Sequence, residues 1–126
     1  MKLTLEVLDD TFTIHRLPTD SEIPNQVCQS QFYNISKSDE EMSIVCSSSV
    51  LLDSERSEVG WSCIKVLGPL DFSLTGIIAE ISDILATSEI SIFALSTFDT
   101  DYILVKSEKL ENARKALVKA DYIFQE

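Results

Sequence analysis

The sequence has few of the residues that build catalytic loops, metal sites or nucleic-acid surfaces. Its 126 residues include three glycines, one histidine and ten lysines and arginines, against 21 aspartates and glutamates, so that the net charge is −11. Three glycines cannot form a phosphate-binding loop, and the motifs G-x-S-x-G, H-E-x-x-H and C-x-x-C are missing. We therefore expect a protein that is not an enzyme.

The shortage of basic residues also excludes two classes of partner. Nucleic-acid binders depend on clustered lysine and arginine, and anionic membranes attract basic segments, so we expect no nucleic-acid or membrane partner. No apolar run approaches the ~18 residues of a membrane span. The first 19 residues carry polar and charged side chains throughout, which does not fit a signal peptide. These observations favour a cytoplasmic protein.

The three cysteines and the single histidine do not form a recognisable site. Cys28, Cys46 and Cys63 are odd in number and far apart, whereas zinc needs three or four converging ligands. We expect no metal and no cofactor, and uncrosslinked thiols suit a reducing compartment. His15 has no partner placed by any motif, which indicates a surface or half-buried strand residue.

The first half of the sequence has the alternating pattern of strands. Apolar residues make up 44% of the chain, which is enough to build a core. A period of two predicts a hairpin of strands at 2–8 and 11–17, and a short helix and two more strands are expected at 25–30, 32–36 and 41–46. The polar segment 53–58 is the predicted boundary, which divides the chain into domains at 1–57 and 58–126.

The second half has the order strand, helix, strand, strand, helix, strand. Strands are predicted at 61–67, 90–98, 101–106 and 122–124. Apolar residues recur at helical spacing from Leu74 to Leu85, and Asp71 and Ser73 are suited to cap that helix, while Ala113 to Ala120 mark a second one. Because strand–helix–strand crossovers are right-handed, both helices lie on one face of a four-stranded sheet. The fold class is therefore α+β, of the ferredoxin-like βαββαβ type.

Both faces of this predicted sheet are apolar. The residues expected to face the helices are Ile64, Val66, Ile92, Ala94, Ile103 and Val105. Those on the opposite face are Trp61, Cys63, Phe93, Leu95, Tyr102 and Leu104. A sheet face bared to water should be polar, so we expect the first half of the chain, a second subunit or both to cover this one.

The run D-F-S-L-T-G-I-I-A-E-I at 71–81, followed by Leu85 and by I-S-I at 90–92, resembles the signature of ACT domains. ACT domains are small amino-acid-sensing modules attached to biosynthetic enzymes and regulators. Residues 40–46 and 96–105 are similar to stretches of a double-ACT subgroup, which includes stand-alone bacterial proteins, the regulatory ends of aspartate kinases and the cytosolic arginine sensors of animals. The resemblance implies two ACT-like subdomains in tandem and a stand-alone, amino-acid-binding regulatory protein.

The resemblance also implies where the ligand would bind, at an interface between modules and against the loop 68–76. A helix N-terminus suits a ligand α-carboxylate, and Asp71 would bind the ligand ammonium group. Ser73 and Thr75 would donate hydrogen bonds from their hydroxyls. Gly76 has no Cβ that would obstruct a ligand or a neighbouring strand. The segment 97–100, at the end of a predicted strand, would contact the ligand side chain. Its Asp99 would favour a ligand with a cationic side chain. The full candidate set is Asp71, Phe72, Ser73, Thr75, Gly76, Thr97, Phe98, Asp99 and Thr100.

Each of these roles has a structural alternative. Asp71 is equally suited to capping the helix, Ser73 and Thr75 to capping or surface positions, and Gly76 to helix–strand packing. Asp99 could point to solvent in a turn. The expected partners are a small amino acid, a second copy of the chain in a homodimer and a regulated protein. The alternative function is a protein-interaction or dimerisation module that binds no ligand, because one fold hosts many functions.

Overall fold

The computed structural model describes residues 3–67 and 75–125. The strands are β1 Thr4–Val7, β2 Phe12–Leu17, β3 Asn34–Lys37, β4 Met42–Ser47, β5 Arg56–Val66, β6 Ile92–Ser96, β7 Asp101–Lys106 and β8 Ile123–Gln125. The α-helices are α1 Ile77–Thr87 and α2 Leu110–Lys119, and 3₁₀ helices span Asn25–Gln29 and Ser107–Lys109. The predicted α+β class is confirmed, and none of the helices in these ranges is long and apolar enough to cross a membrane.

The chain divides into two compact units. The C-terminal unit combines Met1–Asp9 with Ser62–Glu126, and the N-terminal unit is Asp10–Trp61. The boundary predicted from the sequence lies between residues 57 and 58, whereas the structure groups the first strand of the chain with residues 62–126. The N-terminal unit is therefore an insertion between two segments of the C-terminal unit.

The C-terminal unit is a ferredoxin-like βαββαβ fold with one added strand. Its strand order is β6-β7-β5-β1-β8, to which β5 contributes its last residues. β1 runs antiparallel to β5 and parallel to β8, so it stands between the first and last strands of the βαββαβ unit. The predicted fold class is confirmed, and β1 is an addition that the pattern of the second half did not reveal.

Both helices of this unit pack on one face of its sheet. The cluster that they share with the strands consists of fully buried residues, among them Ile64, Val66, Ile81, Leu85, Ile103, Val105, Ala113 and Leu117. Ile92 packs against the cluster, as predicted. Ala94 is directly opposite Ile103 of this cluster, so it lies on the predicted face, but it is exposed. Its strand, β6, has β7 as its one described strand partner, so fewer neighbours cover it.

The opposite face of this sheet keeps part of its apolar surface accessible. Cys63 and Leu104 are fully buried, while Phe93, Leu95 and Tyr102 are half-buried. That a second copy of the chain covers this face stays a prediction.

The predicted hairpin between the first two strands is wrong. Instead β1 pairs with β5 and β8, and β2 pairs with β4 and β5. β5 also begins at Arg56, five residues before the predicted start at 61. Its early residues escape a simple period of two because the register with β2 shifts at this point, and Gly60 there has a φ of +80°. A bulge with a left-handed glycine explains the shift.

The N-terminal unit has the strand order β3-β4-β2, with the first half of β5 beside β2. Its core is a cluster formed by Leu17, Val27, Met42, Ile44, Cys46 and Val50. The buried hydroxyl of Ser30 accepts a hydrogen bond of 2.9 Å from the backbone N–H of Ser47. The bond ties the end of the 3₁₀ helix Asn25–Gln29 to the end of β4.

Candidate ligand-binding site

The predicted site begins where β5 is connected to α1. Of the candidates in this connection, Asp71, Phe72 and Ser73 lie outside the described residues, while Thr75 and Gly76 are exposed. Gly76 is the residue before the first helical position, and its φ of +79° is left-handed. Among the described residues nothing lies within 4 Å of where a Cβ would stand. The backbone conformation, rather than close packing, is therefore what favours glycine here.

The N-terminus of α1 has no side-chain cap among the described residues. The backbone N–H of Glu80 donates to the Gly76 carbonyl at 2.9 Å, which closes the first helical turn. The N–H groups ahead of Glu80 have no partner within the helix and carry a partial positive charge. This arrangement is chemically suited to a carboxylate.

The carboxylate of Glu80, in the first turn of α1, is held by a tyrosine. Tyr122, which is 5% exposed, donates its hydroxyl to Glu80 Oε1 at 2.6 Å. Burial is the main cause that raises the pKa of Tyr122, and the hydrogen bond to Glu80 adds to it. Tyr122 therefore stays a hydrogen-bond donor, and the chain segment before β8 is tied to the start of α1.

The second part of the predicted site is the loop between β6 and β7. The backbone N–H of Thr97 donates to the Thr100 carbonyl at 2.8 Å, and the Thr97 hydroxyl donates to the same oxygen at 3.1 Å. In return the N–H of Thr100 donates to Thr97 Oγ1 at 3.3 Å. Phe98, which is 80% exposed, and the exposed Asp99 form the tip of this closed loop.

Thr100 fixes this loop beside the end of β5. Its side chain is 4% exposed, and its hydroxyl donates to the carbonyl of Val66. Val66 is the last residue of β5, and the connection to α1 starts immediately after it. The loop of residues 97–100 and the start of the β5–α1 connection therefore meet at one edge of the C-terminal unit. The Thr100 hydroxyl is used by the fold, while Asp99 and Phe98 are accessible.

His15 lies on β2 as expected, but it is buried rather than at the surface. It is 5% exposed, and its Nδ1 is 2.8 Å from the Oγ of Ser54. Its Nε2 is buried without a hydrogen-bond partner among the described residues. Burial lowers the pKa of His15. The described residues also contain no group of three or more side chains that could hold a metal ion.

One group of charged residues in the N-terminal unit was not predicted from the sequence. Arg16, Arg56 and Glu58 lie around one cavity on its strands, together with Glu41 and Ser43. The sequence contains three arginines, and two of them are in this group. They are forty residues apart in the chain, so their proximity depends on strand register, which a single sequence does not display.

Two family models match this chain. An ACT-domain model matches residues 56–119, which is just over half of the chain, and a model of an N-terminal domain matches residues 10–51. The second match falls within the N-terminal unit, and the first begins in β5 and ends with α2.

Several solved structures are similar over nearly the whole chain. A protein from Agrobacterium tumefaciens is 35% identical, with 99% of this chain and 93% of that chain covered and a TM-score of 0.91. A Vibrio cholerae protein of unknown function, described as a possible transport protein, is 18% identical, with 94% and 89% covered and a TM-score of 0.72. The regulatory subunit of aspartate kinase from Thermus thermophilus is 14% identical, with 90% and 96% covered and a TM-score of 0.61. The latter two similarities establish a shared fold.

Proposed function

Because this chain belongs to the ACT-domain family, we propose that it is a regulatory protein that binds a small amino acid at the edge formed by the connection 68–76 and the loop 97–100. The observation that carries the proposal is the Thr100 hydroxyl, which anchors the loop to the last residue of β5. This bond brings the loop next to Val66, which comes shortly before the connection in the sequence.

The chemistry of this edge fits a zwitterion. The N-terminus of α1, which has no side-chain cap among the described residues, offers N–H groups and a partial positive charge to the α-carboxylate. Asp71 accepts the α-ammonium in a charge-assisted hydrogen bond, which is stronger than a neutral one. Phe72, Ser73 and Thr75 complete this side of the site. The proposal assigns no catalytic step to any of these residues.

The loop between β6 and β7 selects the ligand side chain in this proposal. Asp99 is exposed at the loop tip, where its carboxylate favours a cationic side chain, and Phe98 supplies apolar surface next to it. Thr97 and Thr100 hold the loop in shape through their mutual hydrogen bonds. Regulation follows from linkage, since a ligand that prefers one assembled state shifts the population toward that state.

We also propose that the N-terminal unit is a divergent ACT-like module. Its element order of strand, 3₁₀ helix, strand, strand and its strand order β3-β4-β2 match the first four elements of a βαββαβ fold. The aspartate kinase regulatory subunit of Thermus thermophilus, which covers 90% of this chain at a TM-score of 0.61, supports a regulatory role of this kind. In the proposed arrangement the protein is a cytoplasmic homodimer that acts on a protein partner.

The test is a screen of the twenty amino acids by thermal unfolding, followed by calorimetry on those that stabilise. A ligand at 100 times its dissociation constant adds about 2.7 kcal/mol to the free energy of unfolding. At about 4 °C per kcal/mol the melting temperature rises by roughly 10 °C. If no amino acid raises it, the proposed sensing is wrong, and the alternative of an interaction module without a ligand is favoured.

Two substitutions test the site assignment. Asp71→Ala is expected to weaken the stabilising amino acid by about tenfold or more, because a hydrogen bond to a charged group is worth about 1.5–3 kcal/mol. Asp99→Asn is expected to reduce the preference for lysine and arginine over neutral amino acids. The matched control is Asp39→Asn, which changes an exposed aspartate in the turn between β3 and β4. Equal affinity in Asp71→Ala and wild type would refute the role of Asp71.

A further inference from the structure

The edge strands of the described sheet differ in how they are protected from pairing with another chain. Each of β3, β6 and β8 has one described strand partner. Short strands and charged side chains are common protection for such edges. β3 ends at the exposed Lys37, and β8 has three residues. β6 has five residues, none of which is charged or proline, so its edge is the least protected of the three.

The hairpin of β6 with β7 shows which backbone groups point to the open side of β6. The N–H of Thr97 donates to the Thr100 carbonyl at 2.8 Å, so these residues form a hydrogen-bonded pair. Hydrogen-bonded and non-hydrogen-bonded pairs alternate along an antiparallel ladder. Counting back from Thr97, the pair of Ala94 and Ile103 is non-hydrogen-bonded, and the N–H and C=O of Ala94 therefore point away from β7. The residues of β6 with this orientation are Ile92, Ala94 and Ser96.

A side-chain contact at the end of β6 supports this assignment. The Ser96 hydroxyl donates to Asp101 Oδ1 at 2.6 Å, and the two residues are directly opposite each other. Side chains are closer in non-hydrogen-bonded pairs than in hydrogen-bonded ones. β6 therefore presents every second peptide group along its length to a further strand.

The register of β6 with a second copy of itself is self-complementary. A two-fold axis at Ala94 puts this residue opposite Ala94 of the partner subunit. Ile92 is then opposite Ser96 of the partner subunit, and Phe93 is opposite Leu95 of the partner subunit. The residues whose backbone groups point outward meet one another in this register, and each such pair exchanges two N–H···O bonds.

The side chains of β6 fit this register on both faces of the sheet. Ala94 lies on the helix face but is exposed, and its small side chain allows two copies to approach closely at the axis. On the other face, Phe93 and Leu95 are half-buried. Each packs against the other residue type of the second copy, and such aromatic–aliphatic pairs across strands stabilise a sheet. Pairing removes this apolar surface from water.

We propose that the edge of β6 binds the same edge of a second copy of this chain, so that the sheets of two C-terminal units become continuous. This inference rests on the homodimer of the proposed function and names its surface. The interface is the strand edge rather than the apolar face of the sheet that was predicted from the sequence.

The two ends of the proposed strand pair bring like charges together. The exposed Glu89 lies in the turn before β6, and Asp99 lies in the loop after it. The two-fold axis places Asp99 near Glu89 of the partner subunit, where the two carboxylates repel each other. Salt screens such exposed charges, with a Debye length of about 8 Å at physiological ionic strength. The dimer is therefore reversible, and its dissociation constant falls as salt is added.

The first test combines sedimentation equilibrium with amide hydrogen exchange of the full chain, measured by nuclear magnetic resonance. Sedimentation gives the dissociation constant, and exchange is then measured below and above that concentration. We expect protection of the Ile92, Ala94 and Ser96 amides to rise in the dimer. The Phe93 and Leu95 amides face β7 and should exchange slowly in both states. A dimer formed through the apolar sheet face would cover side chains and leave the first three amides unchanged.

The second test adds lysine at two places, with opposite expected effects. Ala94→Lys puts a charge on the edge at the axis and should weaken the dimer about tenfold or more. Its matched control is Ser36→Lys, at an exposed position of the edge strand β3, which should dimerise as wild type does.

Glu89→Lys should tighten the dimer about threefold or more, because the lysine attracts Asp99 of the partner subunit. Glu40→Lys is its matched control, since it makes the same charge change at an exposed position in the turn between β3 and β4. Opposite effects of the lysines at positions 94 and 89 cannot come from the change in net charge, which has the same sign in both variants.

Three results would overturn the proposal: a chain that stays monomeric at millimolar concentration, equal exchange of the Ile92, Ala94 and Ser96 amides in monomer and dimer, or variants that behave as their controls do. The first result also refutes the homodimer of the proposed function. The other two leave a homodimer that uses another surface. Stabilisation by amino acids in thermal unfolding reports separately on ligand binding, so the interface can fail without the ligand site.

Discussion

The anchoring role of Thr100 can be tested by replacing it with valine, which keeps the shape of the side chain and removes the hydroxyl. The substitution deletes the bond to the Val66 carbonyl. A hydrogen bond contributes about 0.5–1.5 kcal/mol net, and a buried group left without its partner costs about 1–3 kcal/mol. The added methyl group, at about 0.8 kcal/mol when buried, offsets part of this loss. We expect Thr100→Val to lower the free energy of unfolding by about 1–2 kcal/mol.

Thr100→Ser is the matched control, because it keeps the hydroxyl and loses only the methyl group. Urea unfolding followed by circular dichroism measures the stability of both variants, and hydrogen exchange measures the protection of the Thr97 and Thr100 amides. We expect Thr100→Val to lose protection in the loop 97–100 and Thr100→Ser to keep it. The same loop protection in Thr100→Val and wild type would refute the anchoring role, whatever the change in overall stability.

Three further predictions concern buried and strained residues. Because burial lowers the pKa of His15, this residue binds its proton at a higher pH in the unfolded chain than in the folded one. The free energy of unfolding should therefore fall as the pH drops below about 6.5, and His15→Gln should reduce this dependence between pH 7 and 5. Burial raises the pKa of the Cys63 thiol to about 12. A thiol reagent should therefore label the exposed Cys28 in the native protein, but Cys63 only after unfolding in urea. Labelling of both cysteines at the same rate in the native protein would contradict this prediction. Gly60→Ala should lower the free energy of unfolding by about 1 kcal/mol. Backbone strain is the sole cause, because a Cβ at this position meets nothing within 4 Å. Gly60→Asn should lower it less in the same urea assay, since asparagine tolerates the left-handed conformation better than alanine does.

The elements of this fold could be predicted from the sequence because their signals are local. β7 begins and ends at the predicted residues, 101 and 106, since alternation is clear and turn residues precede it. The 3₁₀ helix Asn25–Gln29 falls within the short helix predicted at 25–30. α1 begins at Ile77, after a left-handed glycine, although the apolar spacing starts at Leu74. A helical period does not reveal which residue of the first turn adopts helical angles.

Strand partners could not be predicted, since they depend on contacts between distant residues. Alternation identified β1 and β2 as strands, but their short connection suggested a hairpin, whereas both pair with β5. The same limit applies to the candidate sites. The resemblance to ACT domains drew attention to Asp99, and its exposed position at a loop tip is also what its structural alternative, a turn residue, predicts. Arg16 and Arg56 became neighbours only through the register of β2 with β5.

The position of β1 has a consequence for synthesis on the ribosome. β8 pairs with β1, where Thr4 aligns with Ile123, so two segments about 120 residues apart in the sequence must meet. At about 5–20 residues per second, the first strand waits roughly 6–24 s for that partner to be translated. Residues 10–61 are finished long before and can fold during the delay. A truncated product that stops before α2 would leave the edge of β1 open to pairing with another nascent chain.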